Sequence, residues 1–377
     1  MSSSRSGPRS SITFTVAIAT AVVLGAGVMA LVLFASGAPE AVAIGVVLSS
    51  IPFGPVIGCY LWLDRYEPEP RSLLLLGLGW GAFVATSAAI FLQAFDAFAF
   101  GPPEAIQSVL VAPVTEEAAK GFFILLLLLY RRTELDGVLD GIVYAGMVGI
   151  GFAFTENILY LTQAYVGEDG RTGGIEEAVG LFVLRGIGAP FAHPFFTAFT
   201  GIGIGVAVTS RVRWTRMWAP VIGLAFAIGA HAAWNAALLI NDGRGATTTY
   251  VVLMVPAFAV MVAFAIWSRR QEGVLLATAL TDCARRGFLE PSEIPWLTRI
   301  PARKAARKYA ARTGGVGALD AMKSYQSEAI ELAFLHHRFL RGTAPAHYEE
   351  LGQAHVQRMF QLRPALVWPQ NVVGAVR

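Results

Sequence analysis

The sequence predicts an all-α, polytopic membrane protein of about eight transmembrane helices, both termini cytoplasmic, with a small soluble helical tail at the C-terminus. Three observations predict it. Hydrophobic residues make up 55% of the 377 and charged ones 15%, against about 25% charged in a typical soluble domain. Apolar stretches of about 20 residues, enough to cross a bilayer, recur from Ile12 to Ser268. Charge is uneven: from Arg269 onward 16 Lys and Arg face 9 Asp and Glu, whereas the preceding residues hold 13 against 17. An apolar body therefore carries a basic tail, and no feature of the chain points to nucleic acid as a partner.

The elements follow in order. Arg5 and Arg9 precede an apolar run from Ile12 to Ser36; a signal peptide's apolar region spans only about 7–15 residues, so this reads as an uncleaved first helix. Further spans are expected at 41–63, 72–99, 104–130, 137–163, 178–209, 217–240 and 249–268, with turns marked by Gly37-Ala38-Pro39 and Gly101-Pro102-Pro103. The sixth is too long for one span and is interrupted by Gly186, Gly188, Pro190 and Pro194; it is either a kinked helix or a broken segment lining a cavity, since irregular backbone at membrane depth needs protein or water beside it. Residues 1–11 form a cytoplasmic tail, 12–268 the membrane core and 269–377 a basic helical tail. In that tail "PARKAARKYAARTGG" suits an amphipathic helix ending at glycines. Cys59 and Cys283 fall in a span and in the tail and read as inert.

Orientation follows from arginines. Arg65, Arg71, Arg131, Arg132, Arg211, Arg213, Arg216, Arg269 and Arg270 fall on the side of Arg5 and Arg9, whereas the opposite loops hold Arg171 and Arg244 beside Glu168, Asp169, Glu176 and Glu177. The positive-inside rule makes the arginine-rich side cytoplasmic.

Against this apolar background the fourth span, "VTEEAAKGFFILLLLLYRR", carries Glu116, Glu117 and Lys120. Each ionised group costs about 2.5–3.5 kcal/mol at a helix centre, so something must offset the cost. Other polar groups lie at overlapping depths: Glu156 and Asn157 in "FAFTENILY", Arg185 and His193 in the sixth span, His231 and Asn235 in "HAAWN". Glu116 and Lys120 are one turn apart, as are His231 and Asn235, while Glu117 points about 100° away. Each has a plain structural reading: an ion pair, helix–helix hydrogen bonds through the asparagines, a histidine satisfying a carbonyl freed by Pro194, an Arg185 paired with outer acids. Convergence from four helices is harder to explain by packing alone.

These residues resemble the PrsW family of intramembrane proteases, more distantly related to CAAX-prenyl endopeptidases and abortive-infection membrane proteases. The likeness runs over about residues 50–240 and rests on "DRYEPEP", "EEAAK", "FAFTEN", "HPFFTAFTG" and "HAAWN" in order. It implies peptide-bond hydrolysis in a bacterial plasma membrane, on a single-span membrane substrate such as an anti-sigma factor. Residue by residue, it suggests Glu116 as general base, Glu117 and Lys120 orienting it, His231 and Asn235 supporting the oxyanion, and His193 completing the site. Glu156 stands where related proteases have the His of F-x-x-x-H, begun here by Phe152, and is open between second base and metal ligand; Asn157 and Arg185 are supporting residues. The carboxylates lie on different helices and no H-E-x-x-H occurs, which favours a metal-free glutamate mechanism; Zn²⁺ is the alternative, with Glu116, Glu156, His193 and His231 as candidate ligands. A transporter or channel relaying ions through the same groups, and a non-catalytic membrane scaffold, are the rival classes. Transporters usually show paired halves, which the crowding of polar groups into spans four to seven does not.

Overall fold

In the computed structural model, residues 8–167, 173–239 and 244–369 are described; Arg5, Glu168, Asp169 and Arg171, on which part of the orientation reading rests, lie outside them. Every regular element among the described residues is helical. The protein is a multi-pass membrane protein: among the described residues seven helices are long and apolar enough to cross a bilayer. The stretch 104–130, expected as the fourth span, is also helical but stands outside that set, because Glu116, Glu117 and Lys120 fall together in it.

The chain divides into two units, residues 1–64 with 69–265, and residues 65–68 with 266–377. The first holds α1 (Pro8–Ala35), α2 (Pro39–Leu63), α3 (Arg71–Phe100), α4 (Ala112–Tyr130), α5 (Val138–Val166), α6 (Ile175–Phe182), α7 (Ala192–Thr209) and α8 (Arg213–Leu238). Helix α9 (Val255–Arg285) begins here and runs beyond the expected end at 268. The centre is α5, packed against α2, α3 and α7 and largely buried, whereas α1 is largely exposed.

Hydrophobic burial does not drive helices together in lipid, so close packing at small residues does the work. At the α5–α7 crossing Gly141 and Gly201 touch: a Cβ on either would stand 2.1 Å from the other's carbonyl oxygen. At the α3–α5 crossing a Cβ on Gly81 would meet the Val148 carbonyl at 1.9 Å. Likewise a Cβ on Gly223 of α8 would stand 2.5 Å from the Phe199 carbonyl of α7, and one on Gly121 of α4 would stand 3.2 Å from Thr200 of α7, so side chains from α4, α5, α7 and α8 can meet.

Two irregularities position the site. A π turn, Gln107–Val111, precedes α4. The sixth span breaks as its glycines and prolines suggest: a π turn, Val183–Gly188, ends at Ala189 (φ −128°, ψ 45°), and a fresh helix starts at Ala192. Beside the break lies a cavity of about 250 Å³ lined by Gly188, Pro190, Phe195, Tyr250 and Phe258 among others, a largely apolar wall.

The "DRYEPEP" loop buries two of its acids, Asp64 and Glu69. Both Asp64 carboxylate oxygens accept from the Glu69 backbone N–H at 3.1 Å, and the Tyr144 hydroxyl of α5 donates to Glu69 at 2.6 Å. Burial pushes the Asp64 carboxyl up to about 7, with Asp140 adding to it.

The second unit packs the end of α9 with α10 (Ile300–Arg341) and α11 (Tyr348–Leu362) around Leu280, Leu297, Tyr325 and Met359. The basic helix ends at its glycines as expected: Gly315 adopts φ +72° and ψ −162°, a conformation only glycine takes readily, and a second helical stretch runs on from there to Arg341.

Candidate active site

Four helices deliver one buried polar cluster. From α4 come Glu116, Glu117 and Lys120, three residues on adjacent faces of a single turn and all buried. Helix α5 supplies Glu156, α7 supplies His193 and Thr197, and α8 supplies His231.

Lys120 is the hub. Its ammonium lies 2.8 Å from Glu117 Oε1, 3.3 Å from Glu116 Oε2 and 3.0 Å from His193 Nδ1, and sits 3.7 Å above the centre of the Phe152 ring. An ammonium has no lone pair, so His193 Nδ1 must accept; His193 then carries its proton on Nε2 and donates to Glu156 Oε2 at 2.7 Å. Glu156 is further held by Arg185, whose Nε also donates to Asn157 at 2.8 Å. Arg185 therefore pairs inward, with Glu156 and Asn157.

The paired glutamates differ. Glu117 is fully enclosed; its Oε1 accepts from Lys120 and from His231 Nδ1 at 3.1 Å, and its Oε2 accepts from the Thr197 hydroxyl at 3.0 Å. Glu116 retains 6% exposure, and its contacts are longer: Gln93 and Lys120, both at 3.3 Å, and His231 Nε2 at 3.9 Å. His231 Nδ1 donates to the Glu117 carboxylate, which turns its Nε2 towards Glu116. Stacking of His231 on Phe196, 4.8 Å between ring centres and 14° between planes, fixes that direction.

Eight of the nine residues singled out in the sequence thus join one network. Asn235 does not: its amide donates to the Ser108 carbonyl at 2.9 Å, tying α8 to the π turn before α4. Thr197 and Gln93 were missed. Thr197 lies one turn beyond His193 and so shares its face; Gln93 was visible as a polar residue within "IFLQAF".

Residues 69–261, a little over half of the chain, match the family described as PrsW family intramembrane metalloprotease. The chain belongs to the PrsW family. Curated relatives named Protease PrsW are 30% identical over 155 residues in Geobacillus kaustophilus, covering 41% of this chain and 63% of that one. The Bacillus subtilis protein is 28% identical over 174 residues, 45% of this chain and 73% of that one. The Oceanobacillus iheyensis protein is 35% identical over 151 residues, 40% and 63% respectively. The chain therefore spans under two thirds of two of these relatives. No solved structure matches it. The PrsW match takes in the whole buried cluster and stops short of the C-terminal unit.

Proposed function

We propose that the chain is an intramembrane endopeptidase that hydrolyses a peptide bond of a membrane protein, with Glu116 as the carboxylate that moves the proton. One observation carries the assignment: of two adjacent buried glutamates, Glu117 has both oxygens filled by three short contacts, whereas Glu116 is loosely held and partly open. A base must exchange its partners during a cycle; an orienting group must not.

On this reading Glu116 takes a proton from water as the oxygen attacks the scissile carbonyl, and returns it to the leaving amine. Glu117 holds His231 in its Nδ1–H form and holds Lys120 in place. The Lys120 ammonium and the network from Arg185 through Glu156 to His193 set a fixed field around the reacting atoms, with no reorganisation needed during the step. A single-span membrane protein is the substrate class a site between helices can receive; the narrower class of anti-sigma factors rests on the family resemblance alone.

The family description implies a metal, and the side chains fit one. Glu116, His193 and His231 each bring one ligand atom within 4.8 Å of the others, the His₂Glu donor set of catalytic zinc. Glu156, also a candidate ligand, is engaged with Arg185 and His193 instead. His231 shows the supporting pattern of a metal-bound imidazole, its far N–H given to a carboxylate. When bound, the metal would supply a Lewis acid to polarise the carbonyl; Glu116 would then hold the metal, and the general-base role above belongs to the metal-free site.

The test is cleavage of a fluorogenic single-span reporter by purified protein in lipid nanodiscs. Glu116→Gln is expected to lower kcat by roughly 10²–10⁴-fold; undiminished cleavage removes Glu116 from the role. Metal content of the purified chain, and its loss in His231→Ala, checks the donor set without reference to activity.

A further inference from the structure

A polar strip leads from the Gly101–Pro103 turn to Glu116 between α3 and α4. Gln93 and Asp96 share a face of α3 in otherwise apolar sequence, and Gln107 opens the π turn. The Gln107 amide donates to the Gln93 carbonyl at 3.2 Å. The Gln93 amide in turn donates to the Thr115 hydroxyl and to Glu116 Oε1, each at 3.3 Å. Two acceptors in the strip, Asp96 Oδ2 and Gln107 Oε1, are buried without a donor among the described residues.

Helix–helix hydrogen bonding accounts for the donors used here but leaves both acceptors unexplained. An acceptor stranded in hydrocarbon is costly, and buried acceptors lacking a protein donor are ordinarily satisfied by water. The apolar cavity beside the sixth-span break provides no comparable path. We propose that this strip is the water inlet of the site: a hydrogen-bonded file of water enters at the turn, passes Asp96 and Gln107, and reaches Glu116 beside Gln93. Asn235 then has a use the sequence did not suggest, since its bond to Ser108 holds the π turn that presents Gln107.

The purpose of the inlet rests on the hydrolase reading. Each bond cut consumes one water, its hydroxyl going to the acyl carbon and its proton by way of Glu116 to the amine. Gln93, Asp96 and Gln107 are positioning residues for that water.

The test uses the full chain in lipid nanodiscs, with Cys59→Ala and Cys283→Ala, bearing Asp96→Cys, Gln107→Cys or Phe95→Cys singly. Phe95 is 56% exposed one residue from Asp96 and serves as the lipid-facing control. The probe is silver ion, water-sized and thiol-reactive; thiols left free are counted with a maleimide after denaturation. Because an ion enters water but not hydrocarbon, positions 96 and 107 are expected to react at least about tenfold faster than position 95. Equal rates overturn the inlet. A second measurement covers misfolding of the cysteine variants: Gln107→Leu is expected to lower kcat roughly tenfold at unchanged KM, with Gln107→Asn, which keeps both the donor and the acceptor, restoring it. Failure of Gln107→Asn to restore kcat overturns the inlet by assigning Gln107 a packing role. Reporter cleavage with slow silver reaction keeps the hydrolase and removes the inlet; fast silver reaction without cleavage keeps the inlet and removes the hydrolase.

Discussion

Replacing Lys120 by methionine separates the ion-pair account of the cluster from a mere coincidence of polar residues. Methionine keeps nearly the volume of lysine, so the cavity contribution is small. What is lost is a fully buried ammonium with contacts at 2.8, 3.0 and 3.3 Å. Glu117, equally buried, keeps Thr197 and His231 but loses its cation. Removing one partner of such a pair costs about 3–5 kcal/mol, because the other charge stays buried and uncompensated. Glu117→Gln leaves the ammonium only the longer Glu116 pair at 3.3 Å and belongs to the lower end of that range. In the double variant neither charge remains, so its cost should fall short of the summed single costs by about 2–3 kcal/mol. Reversible unfolding in mixed detergent micelles gives all three values. If the two costs add to within about 0.5 kcal/mol, the two groups are not coupled, and the account of why a membrane helix tolerates them is wrong.

Other expectations follow from the same geometry. Asn235→Ala should cost about 1–2 kcal/mol of stability through the lost Ser108 bond and leave kcat within about tenfold; an oxyanion donor would cost about 10²–10³ in kcat, so steady-state rates distinguish the two. Gly201→Ala places a methyl 2.1 Å from the Gly141 carbonyl and should destabilise by about 1–3 kcal/mol, lowering the thermal midpoint and, by parting α5 from α7, cleavage as well. In the "DRYEPEP" loop, outside the spans, the folded Asp64 carboxyl lies near 7 against about 3.9 unfolded. The folded state therefore holds the proton more tightly, and this contribution to stability is fully present below about pH 4 and lost as pH rises to about 7. Burial and Asp140 raise Glu69 in the same direction. The thermal midpoint should thus fall between pH 5.5 and 8 by more in the parent than in Asp64→Asn; an equal or opposite slope refutes it.

Much of the fold was legible because lipid imposes a simple rule: every backbone group must be satisfied within a helix, so long apolar runs can be read one at a time. The break in the sixth span was legible for the same reason, from Gly188 and Pro190. The candidate site was legible as a convergence, since ionised groups at membrane depth require partners, and eight of nine found them in one network. Spacing misled at Asn235, one turn from His231 yet turned to a carbonyl of another element. It was silent on Asp64 and Glu69 of "DRYEPEP", which are buried, Glu69 against Tyr144 of α5.

Composition and hydropathy alone determined that this is a helical membrane protein with too many ionisable groups at depth to be inert, because each insertion cost is a property of one residue and its neighbours in the chain. The tertiary structure decided which glutamate is enclosed and which is open, which nitrogen of each histidine holds its proton, and where Asn235 spends its amide. Those outcomes depend on donors arriving from other helices, held at contact distance by Gly141 and Gly201, and no local pattern along the chain encodes them.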